Sequence, residues 1–360
     1  MRAIELCRTE ALGGRIEICD TCGHSIKIFH SCRNRHCPQC QFIKKEQWIA
    51  QKSKTIFPFQ YFHVVFTLPH QLIPVILRNR KLIYDLLFHT VQKTLLSVAG
   101  EKKYFGARIG YFGILHTWGQ KLNLHPHLHC AVPGGGIAGK KWIKSPRDFL
   151  LPVPVLKKRF RSLFLTELKN LYNQGELCLD DTGFKEKKTF QILIDDLFEM
   201  DWVVYVKESF RNYRSVMEYL GRYTHRIAIS NHRIKNVENN NIVFSYKDYK
   251  ENGVKKEMNI QADEFIRRFL LHVVPPRYVR IRYYGILANR NRKENLRLCR
   301  DYYHVPEEKE EEESVESWDS VLMDLSNFDV HRCPRCKEGL LYIDKVLSGN
   351  RSPPVELLTG

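Results

Sequence analysis

The spacing of apolar and polar positions along this chain changes several times, and each change marks an element. Tyr61 to Thr67 is a run of aromatic and β-branched residues closed by Pro69, which predicts a strand. From Gln71 to Val98 the apolar residues recur at helical spacing, with Pro74 tolerable in the first turn, which predicts one long helix. Ile109 to Trp118 and His125 to Val132 return to strand character, the second ending in the turn Pro133-Gly134-Gly135-Gly136. Further on, a basic helix is predicted over Pro154 to Leu171, a short apolar strand over Trp202 to Val206 and a helix over Tyr213 to Thr224. Ile242 to Ile260 reads as a hairpin turning near Asn252-Gly253, and Ala262 to His272 as an amphipathic helix stopped by Pro275-Pro276. Tyr278 to Tyr284 predicts a strand with Arg280 and Arg282 at alternate positions on one face, and Asn289 to Arg300 a closing basic helix. A helix followed by paired strands in this order predicts an α+β fold with a central antiparallel sheet.

Composition divides the chain further. Six of the eleven cysteines lie in the first 40 residues, followed by a basic run to about Lys54. The expected organisation is a zinc-binding, DNA-binding module over 1–54, a main domain over 55–305, an acidic linker over 306–328 and a tail over 329–360. The tail carries Cys333-Pro-Arg-Cys336, half of a zinc ribbon without a partner pair downstream. Lys and Arg outnumber Asp and Glu by 57 to 40, and eight acids between Glu307 and Asp319 mask part of the excess. That surplus calls for a polyanion, and nucleic acid comes first because phosphate contacts release counterions. No apolar stretch approaches the roughly 20 residues of a membrane span and there is no signal peptide, so the expectation is a cytoplasmic, nucleoid-associated protein with no membrane partner.

In such a compartment cysteines favour metal over disulfides. Cys19-x2-Cys22 and Cys37-Pro-Gln-Cys40 supply two thiolate pairs, the pattern that closes a tetrahedral structural zinc site. Cys32, His24, His30 and His36 lie in the loop between them and could substitute for a ligand or hold a second ion. Arg33, Arg35, Lys44 and Lys45 make the module a plausible DNA-gripping face, although an ordinary solvated surface looks the same by charge.

His125, His127 and His129 alternate along one strand, so their imidazoles share a face, and two of them suffice for one divalent ion. Which two is left open, as is the third ligand, for which Gln120, His116 and His63 are candidates beside His125 itself. A site with open positions can bind a phosphate oxygen and stabilise the charge that builds on attack. Tyr219-Leu-Gly-Arg-Tyr223 puts two phenols four apart on one helix face. The ordinary meaning of that spacing is core packing, but Gly221 is odd in a packing helix, and Arg222, His225 and Arg226 surround the pair with charge that favours phenolate. Clusters at Lys157-Lys158-Arg159-Arg161 and Arg277 to Arg300, with Tyr283 and Tyr284 interleaved, suit a single-strand path.

These parts in this order resemble the rolling-circle transposases of bacterial insertion sequences, the two-tyrosine branch of the HUH endonuclease superfamily, insertion-sequence family ninety-one. The resemblance rests on Ser31-Cys-Arg-Asn-Arg-His-Cys-Pro-Gln-Cys40, His63-Val-Val-Phe-Thr-Leu-Pro69, Thr117-Trp-Gly-Gln120, His125-Pro-His-Leu-His129 and the string from Tyr219 to Asn231, and covers most of residues 4 to 300. It implies an N-terminal zinc-binding module followed by an HUH-type catalytic domain with a central antiparallel sheet. It also implies Mg or Mn on His127 and His129, and Tyr219 and Tyr223 as nucleophiles that each take a 5′-phosphate. The implied partner is single-stranded DNA at element ends and target, with room for an oligomer. Relatives of this kind usually carry a further segment ahead of the position of Ile4. The rival readings are a plasmid replication initiator or relaxase, a non-catalytic zinc-dependent DNA-binding protein or inactive copy, and a carboxylate-triad transposase, whose metal would sit on Asp and Glu.

Overall fold

The computed structural model describes residues 2–37, 39–41, 46–47, 49, 60–145, 150–210, 216, 221, 228–304, 323 and 329–349. The chain forms two compact units, one from residues 1–54 together with 312–360 and one from residues 55–311. The tail is thus no separate piece.

The first unit begins with a helical turn, α1 (Arg2–Glu5), and is built on β1 (Gly14–Cys19) and β2 (Ser25–Phe29). Its sheet is completed from the other end of the chain by β13 (Leu341–Leu347), which pairs antiparallel with β1 and makes it the central strand.

The second unit has a five-stranded, wholly antiparallel sheet in the order β12-β4-β5-β3-β8. Its strands are β3 (Tyr61–Thr67), β4 (Gly110–Trp118), β5 (Leu124–Pro133), β8 (Val204–Phe210) and β12 (Ile281–Gly285). On one face Phe62, Val64, Phe66, Leu115, Leu128, Cys130 and Val132 bury themselves against two helices of 21 residues, α3 (Arg80–Gly100) and α4 (Val153–Asn173). Phe160 and Phe164 of α4 pack edge-on against Trp202, whose indole N–H donates to the Leu197 carbonyl at 2.8 Å. The even-numbered residues of β3 and β5 turn to this core, so the odd-numbered ones, including His63, His127 and His129, face the other way. Gly285 ends β12 with φ +60°, where a Cβ would lie 2.0 Å from the Ile109 carbonyl oxygen.

The helix predicted over Gln71 to Val98 is broken in two. A 3-10 turn leads into α2 (Ile73–Arg78), and α3 starts afresh after Asn79. Asn79 is buried, and its side-chain amide donates to the Val75 and Cys178 carbonyls while its oxygen accepts the Cys178 N–H. These tertiary bonds hold Asn79 out of helical geometry, at φ −125° and ψ 37°.

Pro133-Gly134 is followed directly by β6 (Gly135–Ala138), paired with β7 (Lys141–Lys144), where a turn alone was predicted. Helix α5 (Lys187–Glu199), absent from the sequence reading, buries Phe190, Leu193, Ile194 and Leu197, one helical stripe. The hairpin near Asn252-Gly253 forms as β10 (Asn241–Asp248) and β11 (Val254–Gln261), in register Ile242 to Ile260, with β9 (Ile234–Glu238) added outside β10. Phe265 and Phe269 of α6 (Ala262–Leu270) join Phe244, Leu122, Ala228 and Ile229 in a second, smaller core. Helix α7 (Arg292–Tyr303) follows β12. The predicted helix over Tyr213 to Thr224 lies outside the described residues except for Val216 and Gly221, both helical and buried, and the acidic linker except for Met323.

Replacing Asn79 with Ala removes three side-chain hydrogen bonds, to the Val75 carbonyl and to the Cys178 carbonyl and N–H, each worth about 1 kcal/mol. Urea unfolding of the Asn79→Ala variant should therefore show stability lower by about 3 kcal/mol, and an unchanged midpoint would mean that water replaces the amide without penalty.

Candidate functional site: buried histidines and paired cysteine clusters

The register of the sheet assembles the histidines. β4 and β5 pair with His116 opposite His127 and Ile114 opposite His129, so the three imidazoles stand side by side on the face turned from the helices. The Nδ1 of His116 is 2.8 Å from Nε2 of His127, and one ligand nitrogen from each of His116, His127 and His129 lies within 4.8 Å of the others. All three are buried.

Two contacts aim these rings. His127 donates from Nδ1 to the His125 carbonyl of its own strand at 2.6 Å, leaving the lone pair on Nε2. On the other side, His63 of β3 stacks parallel to His129 with centroids 5.0 Å apart, and its Nε2 meets His129 Nδ1 at 2.7 Å. With His129 as the donor in that bond, its Nε2 keeps a lone pair for the cluster. Around the rim, Trp118 packs 3.7 Å from the His116 ring. His272 lies between the Leu122 carbonyl at 3.2 Å and the Thr117 hydroxyl at 3.4 Å.

Burial is the first cause of every shift here. It depresses His116 and His129 well below their ordinary range, with the mutual charges of the cluster adding to it. It brings His127 to about 3, and His63 to about 4 with help from Lys207. The rings are therefore neutral at physiological pH, the form in which imidazole binds a metal. Three neutral nitrogens converging from two strands fit a divalent ion with positions left for other ligands.

Of the residues expected to complete the site, His116 is the one the fold brings to His127 and His129. The Gln120 amide oxygen instead accepts the Lys247 N–H at 3.3 Å, and its backbone carbonyl accepts from Arg233. His125 is half-buried with its ring 5.0 Å from that of His127, and it contributes its carbonyl rather than a ligand nitrogen. Arg280 and Arg282 meet different neighbours. Arg280 lies 5.9 Å from the Trp118 ring and its charge reaches His116. Arg282 is paired with Asp85 at 2.5 Å and lies 4.2 Å over Phe88, both on α3. In the basic cluster of α4, Lys157 is paired with Asp201 and Arg159 with Glu101. Arg33 is exposed, and Arg35 is half-buried with its pKa lowered by that burial. Tyr219, Tyr223, Arg222, Arg226, Lys44 and Lys45 lie outside the described residues.

The cysteines part from the expected single site. Cys19 and Cys22 do not join Cys37 and Cys40; they cluster with Cys333 and Cys336, while Cys37 and Cys40 cluster with Cys7 and Cys32. Sulfur separations are 3.6 Å for Cys7–Cys40 and Cys37–Cys7, and 3.7 Å for Cys32–Cys40, Cys19–Cys336 and Cys22–Cys333. A disulfide would need about 2.05 Å. Four thiolates about 2.3 Å from one tetrahedral zinc ion stand about 3.8 Å apart, so both clusters have zinc dimensions. Cys7, a lone cysteine outside any Cys-x2-Cys pair, gave no sequence signal. The unpartnered tail pair did give one, since half a ribbon needs its other half somewhere.

Two families match this chain. Residues 1–68 match the family described as "Transposase zinc-binding domain" and residues 110–295 the family described as "Putative transposase". A protein of Sinorhizobium fredii named "Putative transposase y4qJ" is 44% identical over 360 residues, covering 98% of this chain and 90% of its own. The "Transposase for insertion sequence element IS801" of Pseudomonas savastanoi pv. phaseolicola is 30% identical over 302 residues, covering 79% of this chain and 68% of its own. No solved structure matches.

Zinc-binding module, mixed domain with an antiparallel sheet, and relatives together define a transposase, an enzyme whose partner is DNA. The chain belongs to the Y2 transposase family and carries the zinc-binding transposase domain of the IS91 type. No described helix is long and apolar enough to cross a membrane.

The buried imidazoles make stability depend on pH. Burial holds His63 and His272 at about 4 in the folded chain, against about 6.5 when unfolded. Below pH 6.5 the unfolded chain takes up protons that the folded one refuses, so stability present above 6.5 is lost as pH falls toward 4. Without added Mn or Mg, Tm should decline steadily from pH 6.5 to 4.5, and a flat profile there would contradict the burial argument.

Proposed function

We propose that this transposase works by the HUH rolling-circle route, cutting and rejoining single-stranded DNA through tyrosine. The observation that carries this reading is the neutral His116, His127 and His129 cluster on the central sheet. A carboxylate-triad enzyme would gather Asp and Glu, and among the described residues no acidic residue belongs to any of the metal-sized clusters.

His127 and His129 are the expected ligands, with His116 as the third. Imidazole suits Mn, whereas Mg prefers oxygen, so Mn support is expected alongside Mg. A divalent ion there would bind a phosphate oxygen and offset the charge that develops during attack. The chain's own part is the nucleophile. The phenolic oxygen of Tyr219 or Tyr223 forms a bond to phosphorus as the bond from phosphorus to the 3′ oxygen breaks. The phenolic proton is balanced by the one gained by the released 3′-hydroxyl. One phosphoester replaces another, so no ATP is needed, and the 5′ end of the downstream strand stays on the tyrosine. The second tyrosine permits a second exchange in the reverse sense. Arg222 and Arg226, next to the tyrosines in sequence, favour phenolate over a phenol whose resting pKa is about 10. Arg280 beside the cluster and Arg33, Arg35, Lys44 and Lys45 of the module suit phosphate contact. Arg282, held by Asp85, is a weaker candidate for the strand path.

With Mn, single strands carrying the element's ends should give a denaturation-resistant adduct that retains label downstream of the cut and vanishes in the Tyr219→Phe, Tyr223→Phe double variant. Binding without any adduct under Mn or Mg would instead mark a DNA-binding relic. The His63 contact gives a second check. Removing the partner behind a metal-bound histidine commonly weakens metal binding about 10- to 100-fold. His63→Ala should do so in an Mn titration of the DNA-free protein, while an unchanged affinity would mean that His129 needs no such support.

A further inference from the structure

We propose that Cys19, Cys22, Cys333 and Cys336 form a second structural zinc site, distinct from that of Cys7, Cys32, Cys37 and Cys40, which closes the chain's two ends into one zinc ribbon. The family match that describes zinc binding stops at residue 68, so it does not account for the second pair of sulfurs. The geometry carries the assignment. Cys22 and Cys333 are 311 residues apart, yet their sulfurs are 3.7 Å from each other, as are those of Cys19 and Cys336.

One sulfur of each pair accepts a backbone N–H from three residues further on. Cys22 donates to the Cys19 sulfur at 3.5 Å, and Gly339 donates to the Cys336 sulfur at 3.3 Å. Such amides stabilise thiolate over thiol, the state a zinc ligand requires. The two turns are locked together by a reciprocal pair of hydrogen bonds between Asp20 and Leu340. Asp20 N–H donates to the Leu340 carbonyl at 3.1 Å, and Leu340 N–H donates to the Asp20 carboxylate at 2.9 Å.

Gly339 shows how closely the halves meet. A Cβ there would lie 2.5 Å from the Cys19 sulfur and 2.6 Å from the Thr21 hydroxyl. From this junction β1 and β13 run away as paired strands, Cys19 opposite Leu341. The ion therefore sits where the two ends of the chain begin to pair, and it fastens the tail to the zinc-binding module. With all four positions held by protein, it has no place for substrate, and its role is structural.

The two clusters differ in exposure. Each cluster has two buried cysteines, Cys37 and Cys40 in one and Cys19 and Cys333 in the other, but Cys7 and Cys32 are half-buried whereas Cys22 is exposed and Cys336 half-buried. The ribbon ion is accordingly the one a chelator reaches first.

Zinc-protected alkylation tests this on the unaltered full chain. The zinc-loaded protein is treated with iodoacetamide and its cysteines are mapped by mass spectrometry, with exposed Cys178 as the free-thiol control. Cys333 and Cys336 should be protected at least 10-fold relative to Cys178, and mild chelation should release them together with Cys19 and Cys22 while Cys7, Cys32, Cys37 and Cys40 remain protected. Cobalt titration should saturate the thiolate-to-metal band at two equivalents per chain, and at one in the Cys333→Ser, Cys336→Ser variant. Cys333 and Cys336 alkylating as fast as Cys178 in saturating zinc, or a wild-type endpoint of one equivalent, would overturn the proposal. Neither readout depends on DNA cleavage, so the outcome stands apart from that of the tyrosine mechanism.

Discussion

The register between β4 and β5 is the constraint on which the candidate site depends. Pairing His116 with His127 and Ile114 with His129 puts three imidazoles on one face, and a slip by one residue would send one strand's histidines into the helix-covered core. That core fixes the register from behind. Leu115, Leu128 and Cys130 have places against α3 and α4 only in this alignment, so the apolar face decides where the polar face puts its ligands.

The buried histidines His63, His116, His127, His129 and His272 would destabilise the fold if charged, and burial keeps each neutral. The His125 carbonyl accepts from His127, and the His63 and His129 rings are hydrogen-bonded across 2.7 Å. Two of the three candidate ligands thus each have a hydrogen-bond partner behind the ring, as metal-bound imidazoles do. Arg280 adds positive potential beside His116, which opposes protonation of the ring and at the same time favours an anionic phosphate. Neutral donors and a nearby fixed cation push in the same direction.

Much of this was legible along the chain. The alternation in His125-Pro-His-Leu-His129 follows from the two-residue period of a strand, and the hairpin at Asn252-Gly253 from turn chemistry with its register intact. What the sequence could not show came from contacts far away in number. Asn79 breaks a helix because Cys178, 99 residues later, supplies its hydrogen bonds. Gln120 was one of the candidate third ligands, but the Lys247 N–H of the hairpin donates to its amide oxygen. Arg282 looked like part of a DNA face by alternation with Arg280, but Asp85 and Phe88 of α3 claim its guanidinium.

The cysteines show why spacing alone misleads. Two Cys-x2-Cys pairs close together in sequence suggest one site, because a short loop between them is cheap to close. In this chain the two pairs belong to different clusters, and the reason lies in strand order. β1 runs from Gly14 to Cys19 between β2 and β13, so Cys19 reaches the edge of the sheet where β13 begins at Leu341. Cys37 and Cys40 find Cys7 and Cys32 instead, and the N–H of Cys32 donates to the Cys7 sulfur at 3.4 Å. Eight sulfurs sorted into two sets of four leave no ligand over in either cluster. The same sorting explains the tail pair: it is half a site because its other half was made at the start of the chain, so losing either pair leaves the other without its partner.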